Sequence, residues 1–291
     1  VRNRGIVSYS SLVKGHGDGS AAADHEGYDS STVAVKEADT ARDIFSFPRG
    51  ADAGNCIHWI FEHADFTGTD MSLNDDVIVQ GLRRYGFPES WSGALSRMVT
   101  AVLDAPLGEQ GPGPRLRDAG RADRLHEMEF MVPLEALTPG ALRDILPPPG
   151  ASAVTEDMRE AFRSVTFSEV KGYLRGFIDL IFRHEGRYYI VDWKSNHLGN
   201  SVEAYSRERM MQEMKRHNYY LQYYIYTAAL HRYLTLRQPG YRYADHFGGV
   251  RYVFVRGVSG SGDTGIFRDC PPEDSIVRLS DAMSVFSGGN E

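Results

Sequence analysis

Tyr173-Leu174-Arg175-Gly176-Phe177-Ile178-Asp179-Leu180-Ile181-Phe182-Arg183-His184-Glu185-Gly186-Arg187-Tyr188-Tyr189-Ile190-Val191-Asp192-Trp193-Lys194 is the stretch on which the fold turns. Two apolar, β-branched and aromatic arms flank His184-Glu185-Gly186-Arg187, the pattern of a hairpin. A turn about Glu185-Gly186 sets Arg183 opposite Tyr188, Ile181 opposite Ile190 and Asp179 opposite Asp192. Directly opposed residues on one face hold their Cβ atoms about 4.5–5.5 Å apart. Lys194 lies two residues beyond Asp192 and returns to the same face. The ribbon is therefore expected to gather two carboxylates and one amine.

Opposed carboxylates repel. Their place among Phe177, Ile178, Leu180, Ile181, Ile190 and Val191 is costly unless a divalent cation offsets it. Carboxylate oxygens suit Mg²⁺, Mn²⁺ or Ca²⁺. The competing reading is a solvated strand face with an Asp–Lys surface salt bridge, and a bulge at Gly186 would break the register. A cation beside a lysine suggests phosphodiester hydrolysis. The metal would activate water and polarise a phosphoryl oxygen, and Lys194 would orient the water or stabilise developing charge.

Outward from the hairpin, Leu125 to Val132 alternates as a strand, and Gly249 to Arg256 does the same. Ile57, Ile60, Phe61 and Ala64 share a face of a helix beginning near Asn55. Residues 75–105 read as two helices parted by Tyr85-Gly86-Phe87-Pro88, followed by a loop over 106–123. A helix is expected over 134–145, stopped by Pro147-Pro148-Pro149-Gly150. One long helical region is expected over 203–237, and a short helix near 274–286. Residues 15–43, rich in Gly, Ala, Ser and Asp, read as a flexible linker. Ser8-Tyr9-Ser10-Ser11-Leu12 marks a short element before it, and order resumes at Ile44-Phe45-Ser46-Phe47-Pro48. Strands embedded among helices indicate an α/β sandwich.

Composition narrows the function. The chain has 291 residues, a net charge of −7 and two cysteines, Cys56 and Cys270. Two thiols exclude a four-cysteine iron–sulfur cluster or zinc site, and a disulfide framework. No apolar run approaches the ~18 residues of a membrane span. Val1-Arg2-Asn3-Arg4 precedes no signal core, so a cytoplasmic location is expected. The negative charge argues against a nucleic-acid coat protein while leaving room for a nuclease. No Gly-x-x-x-x-Gly-Lys-Ser/Thr loop occurs, so the chain carries no ATP site.

The motifs then resemble a family. Gly176-Phe177-Ile178-Asp179-Leu180 with Asp192-Trp193-Lys194-Ser195-Asn196 resembles the PD-(D/E)XK nuclease superfamily, and more closely its RecB-type C-terminal nuclease domains. Phe47-Pro48-Arg49-Gly50, then His58 and Phe61-Glu62, resemble that family's opening helix. Glu127-Met128-Glu129-Phe130 resembles its first core strand. Leu221-Gln222-Tyr223 through Tyr226, running on to Ala229-Leu230-His231-Arg232-Tyr233-Leu234, resembles its Gln/Tyr helix. His246-Phe247-Gly248-Gly249-Val250, with Arg256-Gly257-Val258, resembles its last strand.

The resemblance implies a restriction-endonuclease-like α/β core, a central mixed sheet flanked by helices, over residues 45–291. Residues 1–44 would link it to an absent helicase region. It implies metal ligation by His58, Asp179, Asp192 and the Trp193 backbone carbonyl, with Lys194 as the catalytic lysine. Glu127 matches an acidic position near the site, and Gln222 and Tyr226 flank it. Trp193 stands where the family has tyrosine, which bears on packing or DNA contact. The implied enzyme is a Mg²⁺-dependent exodeoxyribonuclease V-type hydrolase of bacterial cytoplasm, acting on mainly single-stranded DNA. Its partners would be RecC-like and RecD-like subunits and a RecA-like recombinase, in double-strand break repair and foreign DNA degradation.

Plainer readings stand beside each residue. His58 alone reads as a helix-surface histidine, and His63 stays one. Glu127 and Glu129 share a strand face that a solvated edge would also explain. Gln222 and Tyr226 are helix neighbours, and Tyr219, Leu230 and Tyr233 extend their stripe as packing residues. Arg207, Arg209, Lys215, Arg216 and His217, with Met210, Met211 and Met214 between, fit either an amphipathic helix or a wall tracking DNA phosphates. Arg115, Arg117, Arg121 and Arg124 pose the same choice. The alternatives for the whole are a catalytically silent docking module and a free-standing restriction-type endonuclease.

Overall fold

The computed structural model describes residues 5–8, 42–68, 72–108, 113–133, 156–160, 172–261 and 264–283. The strands are β1 (Gly5–Ser8), β2 (Arg124–Pro133), β3 (Gly172–His184), β4 (Arg187–Lys194), β5 (Phe247–Phe254) and β6 (Ile266–Asp269). The helices of two turns or more are α1 (Ala51–His63), α2 (Ser72–Arg84), α3 (Ser92–Asp104), α4 (Arg207–Arg216), α5 (Tyr219–Arg237) and α6 (Glu273–Ala282).

The six strands among the described residues form one mixed sheet. β3 pairs β2 and β4 antiparallel and β1 parallel, β4 pairs β5 parallel, and β5 pairs β6 antiparallel. β2 runs along β3 from Tyr173 to Phe182. A strand has two edges, so β1, on Gly172–Arg175, and β4, on Leu180–His184, must share the other one. The stretch between them on that edge, residues 176–179, includes Asp179.

Each sheet face buries its own core. Leu174, Ile178, Ile181, Ile190, Val250 and Tyr252 pack with the apolar residues of α4, α5 and α6. Leu180, Phe182, Val191, Trp193 and Val253 pack with those of α1, α2 and α3. The α/β architecture expected from the sequence is thus a three-layer sandwich. Within β3 the alternation slips. Leu174 and Ile178 face the α5 layer, yet Leu180 and Phe182, of the same parity, face the α1 layer. The change of side falls at Asp179.

Several elements depart from expectation. The long region over 203–237 is a 3₁₀ turn (Val202–Tyr205) and two helices, because Asn218 takes a left-handed conformation (φ +56°) between α4 and α5. Asparagine tolerates that region better than most residues. α1 begins at Ala51, four residues before the start expected near Asn55. β6 is too short for a periodic signal. The last helix ends at Ala282. β1 meets the short element expected over residues 8–12 only at Ser8. The rest of that element, the helix expected over 134–145 and all but residues 42–43 of the linker expected over 15–43 lie outside the described residues.

Two glycines mark close approaches around β5. Gly249 (φ +99°) sits where the β4–β5 register shifts, between Tyr188–Phe247 and Tyr189–Gly249, as a bulge requires. A Cβ on Gly257 would lie 1.9 Å from Tyr205 Cγ. Tyr205 in turn holds the loop after β4, donating from its hydroxyl to the Asn196 carbonyl and accepting from the Leu198 amide. Gly257→Ala is expected to cost about 1–3 kcal/mol through overpacking, read by urea denaturation.

Candidate active site

Glu185 (φ +48°) and Gly186 (φ +79°) form the turn of the hairpin, both left-handed as a two-residue type I′ loop demands. The ladder runs from His184–Arg187 to Leu180–Val191 in the expected register, with no bulge at Gly186. It stops one pair short of the acids. Beyond it the Trp193 amide donates to Asp179 Oδ2 at 2.8 Å, so a side chain takes the place of a main-chain acceptor. The expected face-to-face pair is therefore modified. Asp179 binds the main chain of β4, while Asp192 Oδ2 lies 2.7 Å from Lys194 Nζ. Asp192 and Lys194 are 2% and 3% exposed, which rules out a solvated surface salt bridge.

His58 reaches this point from the other layer. Phe61 stacks on the Trp193 indole, with centroids 4.2 Å apart and planes at 15°. That contact fixes α1 against β4. It also explains how tryptophan is accommodated: the indole fills the α1-side core and only the main chain faces the site. His58 Nδ1 then lies 3.4 Å from Asp179 Oδ2, buried rather than on a helix surface. Burial, and then the Lys194 charge, hold the imidazole down at about 3, against an opposing hydrogen bond to the Trp193 backbone. His58 is neutral at physiological pH, the state in which an imidazole can ligate.

Glu127 stands directly across β2–β3 from Asp179. His126 pairs Leu180 and Met128 pairs Ile178, and the pair between them is missing. There Glu127 adopts φ +51°, rare for a non-glycine residue. Its carboxyl is pushed up to about 8 by burial, then by the charges of Asp179, Glu62 and Asp192. Glu129 is different: it is exposed and paired with Arg175 at 2.7 Å. The left-handed residue gives these two acids distinct surroundings, so one solvated edge does not describe both.

Gln222 and Tyr226, on α5, close the α5 side. Gln222 Oε1 accepts from Lys194 Nζ (3.4 Å) and from the Tyr252 hydroxyl (2.9 Å), and Gln222 Nε2 donates to Tyr226 Oη (2.9 Å). The structure thus links Lys194, Gln222, Tyr226 and Tyr252 in one buried network. Sequence reasoning missed Tyr252, and Glu62 as a charge acting on the site. The spacing of Glu62, one turn after His58 on α1, was the available signal. Tyr233, grouped with the packing residues, is exposed.

The basic stretch forms an amphipathic helix. Met210 and Met214 are buried beneath α4. Lys215 pairs with Glu160 at 2.6 Å, and Arg216 and His217 pair with Glu213. Arg117 pairs with Asp104, and the Arg124 guanidinium lies 4.1 Å over Phe66. Among the described residues no three His, Cys, Asp or Glu side chains form a preset metal cluster, and no helix is long and apolar enough to cross a membrane.

Comparison with known proteins adds the following. The sequence profile of the PD-(D/E)XK nuclease superfamily matches residues 35–277. The chain is similar to the RecBCD enzyme subunit RecB of Escherichia coli, at 36% identity over 96% of this chain and 23% of that protein. It is similar to the RecB subunits of Haemophilus influenzae (34% identity, 81% of this chain, 19% of that protein) and Mycolicibacterium smegmatis (33%, 90%, 26%). The chain spans about a quarter or less of the length of these relatives.

Proposed function

The chain belongs to the PD-(D/E)XK nuclease superfamily, and from that premise we propose that it is a divalent-metal-dependent nuclease hydrolysing DNA phosphodiester bonds, chiefly in single strands. The observation that carries the reading is the convergence of Asp179, Asp192, Lys194 and His58 where β3 and β4 part company.

The donor set fits the metal on chemical grounds. Two carboxylates and a main-chain carbonyl suit Mg²⁺, and a neutral imidazole admits Mn²⁺. Asp179, Asp192, His58 and the Trp193 carbonyl would hold the cation. When bound, it supplies Lewis acidity toward a phosphoryl oxygen and a more acidic water. Lys194 supplies a positive charge that stabilises the negative charge developing on the phosphate, or a donor that orients the water. Gln222 fixes the lysine through its Oε1, and Tyr226 and Tyr252 fix the amide of Gln222. Glu127 adds an acid on the β2 side.

The named relatives support a wider reading. The chain would be the nuclease domain of an exodeoxyribonuclease V-type, RecBCD-like bacterial enzyme. It would work beside RecC-like and RecD-like subunits and a RecA-like recombinase, in double-strand break repair and foreign DNA degradation, and in the cytoplasm.

The test is incubation of the chain with end-labelled single-stranded DNA in Mg²⁺ or Mn²⁺. The expected result is progressive shortening that EDTA abolishes and added Mg²⁺ restores. Binding of DNA without cleavage in either metal would overturn the reading in favour of a silent docking module.

A further inference from the structure

Lys194 is almost wholly buried, and burial disfavours a charged amine unless partners replace its water. Asp192 and Gln222 supply two of those partners through oxygen atoms. The aromatic ones come from different elements. Nζ lies 4.0 Å from the centroid of Tyr219 and 5.2 Å from that of Tyr252. Both distances fall within the range in which the negative face of an aromatic ring attracts an ammonium. The two rings are themselves 5.7 Å apart, and both belong to the buried core.

The placement of Tyr219 has a specific cause. Asn218 breaks the helical path with its left-handed backbone, so α5 starts afresh at Tyr219. Tyr219, Gln222 and Tyr226 then fall at i, i+3 and i+7, along one face of the new helix. That single face presents a ring, an amide oxygen and a hydroxyl to the lysine network. The His217 ring stacks on the outer side of this arrangement, 5.2 Å from Tyr219 at 18°, and is held by Glu213 at 3.0 Å.

We propose that Tyr219 and Tyr252 are positioning residues that seat the Lys194 ammonium against their ring faces and aim it at the reacting phosphate. The inference deepens the nuclease reading and rests on Lys194 serving there. Tyr252 acts twice, with its ring toward Lys194 and its hydroxyl on Gln222 Oε1. Tyr219 acts through its ring.

The experiment uses the 291-residue chain and its Tyr219→Leu and Tyr219→Phe variants, each alone and with Lys194→Met. Tyr219→Leu is expected to lower kcat for DNA cleavage about 10–30-fold with KM little changed, as expected for losing a desolvated cation–π contact. Tyr219→Phe keeps the ring and is expected within threefold of wild type. In the Lys194→Met background Tyr219→Leu should change the residual rate no further, because the ring acts only through the amine. The Lys194 side-chain methylene resonances, read by NMR without DNA or metal, should be displaced upfield by the ring in wild type and Tyr219→Phe and relax in Tyr219→Leu. Unmoved resonances, equal losses in the Phe and Leu variants, or a full Tyr219→Leu effect without Lys194 would each overturn the seat. A wild-type chain that shows the displaced resonances but cuts no DNA would overturn the nuclease reading and leave Lys194 no phosphate to be aimed at.

Discussion

Asp192→Asn is expected to lose DNA cleavage by about 10³-fold or more while keeping, or improving, its affinity for single-stranded DNA. Asparagine preserves the shape of the side chain but removes the charge that faces Lys194 at 2.7 Å and one proposed anionic ligand of the cation. Less negative charge where a phosphate must lie favours binding, so the two readouts should part. A general folding defect would lower both. The ion pair also predicts a stability pattern. Removing one partner of a buried pair costs about 3–5 kcal/mol, whereas replacing both with apolar groups of similar size is near neutral. Lys194→Met alone should therefore melt well below wild type. Asp192→Leu with Lys194→Met should regain most of that loss and remain inactive. Cleavage by the double variant at more than a hundredth of the wild-type rate would remove this pair from the chemistry.

The register of the hairpin was legible because it depends on local rules. A Glu-Gly turn of two left-handed residues between apolar arms admits few alignments. The helices were legible wherever one apolar stripe faced a core, as in α1 and α3. α5 is different, since its first ten residues, 219–228, are all buried, and its start depends on one residue, Asn218, whose left-handed backbone leaves no periodic trace. The merging of α4 and α5 in the sequence reading follows from that.

The site was legible in its residues and less so in its geometry. Spacing placed Asp192 and Lys194 on one face, and they are in contact. Spacing also opposed Asp179 to Asp192, but strand arithmetic assumes the ladder continues. Here it yields to the Trp193–Asp179 hydrogen bond and to the change of face within β3. The left-handed Glu127 across the sheet is the matching irregularity in β2. Residues in such conformations persist only where surrounding structure over-determines them, and they concentrate at functional sites. The break in regularity that defeats alternation thus coincides with the place where the acids collect.

Arg256, quoted in the last-strand motif without a role, shows a dependence that the motif does not reveal, and its removal is the other large effect expected. Its guanidinium is 2% exposed and donates to four main-chain carbonyls. Nε reaches Ser195 (2.8 Å), Nη1 reaches Ile44 (2.7 Å) and Phe47 (2.9 Å), and Nη2 reaches Pro48 (2.6 Å). Ser195 follows the proposed catalytic lysine, and Ile44–Pro48 leads into α1, which carries His58. One side chain thus ties together the two segments whose separation sets the geometry of the proposed metal ligands. Arg256→Met would leave those carbonyls without their charged donor, at an expected cost of about 3–5 kcal/mol. Arg256→Lys should recover only part, because a point ammonium cannot reproduce the planar fork. Limited proteolysis should then cut first near residues 44–50, at temperatures where the rest of the chain stays folded. Nuclease activity should fall with that local release, ahead of global unfolding. Protection of this segment equal to wild type in Arg256→Met would show that the clamp holds nothing in place.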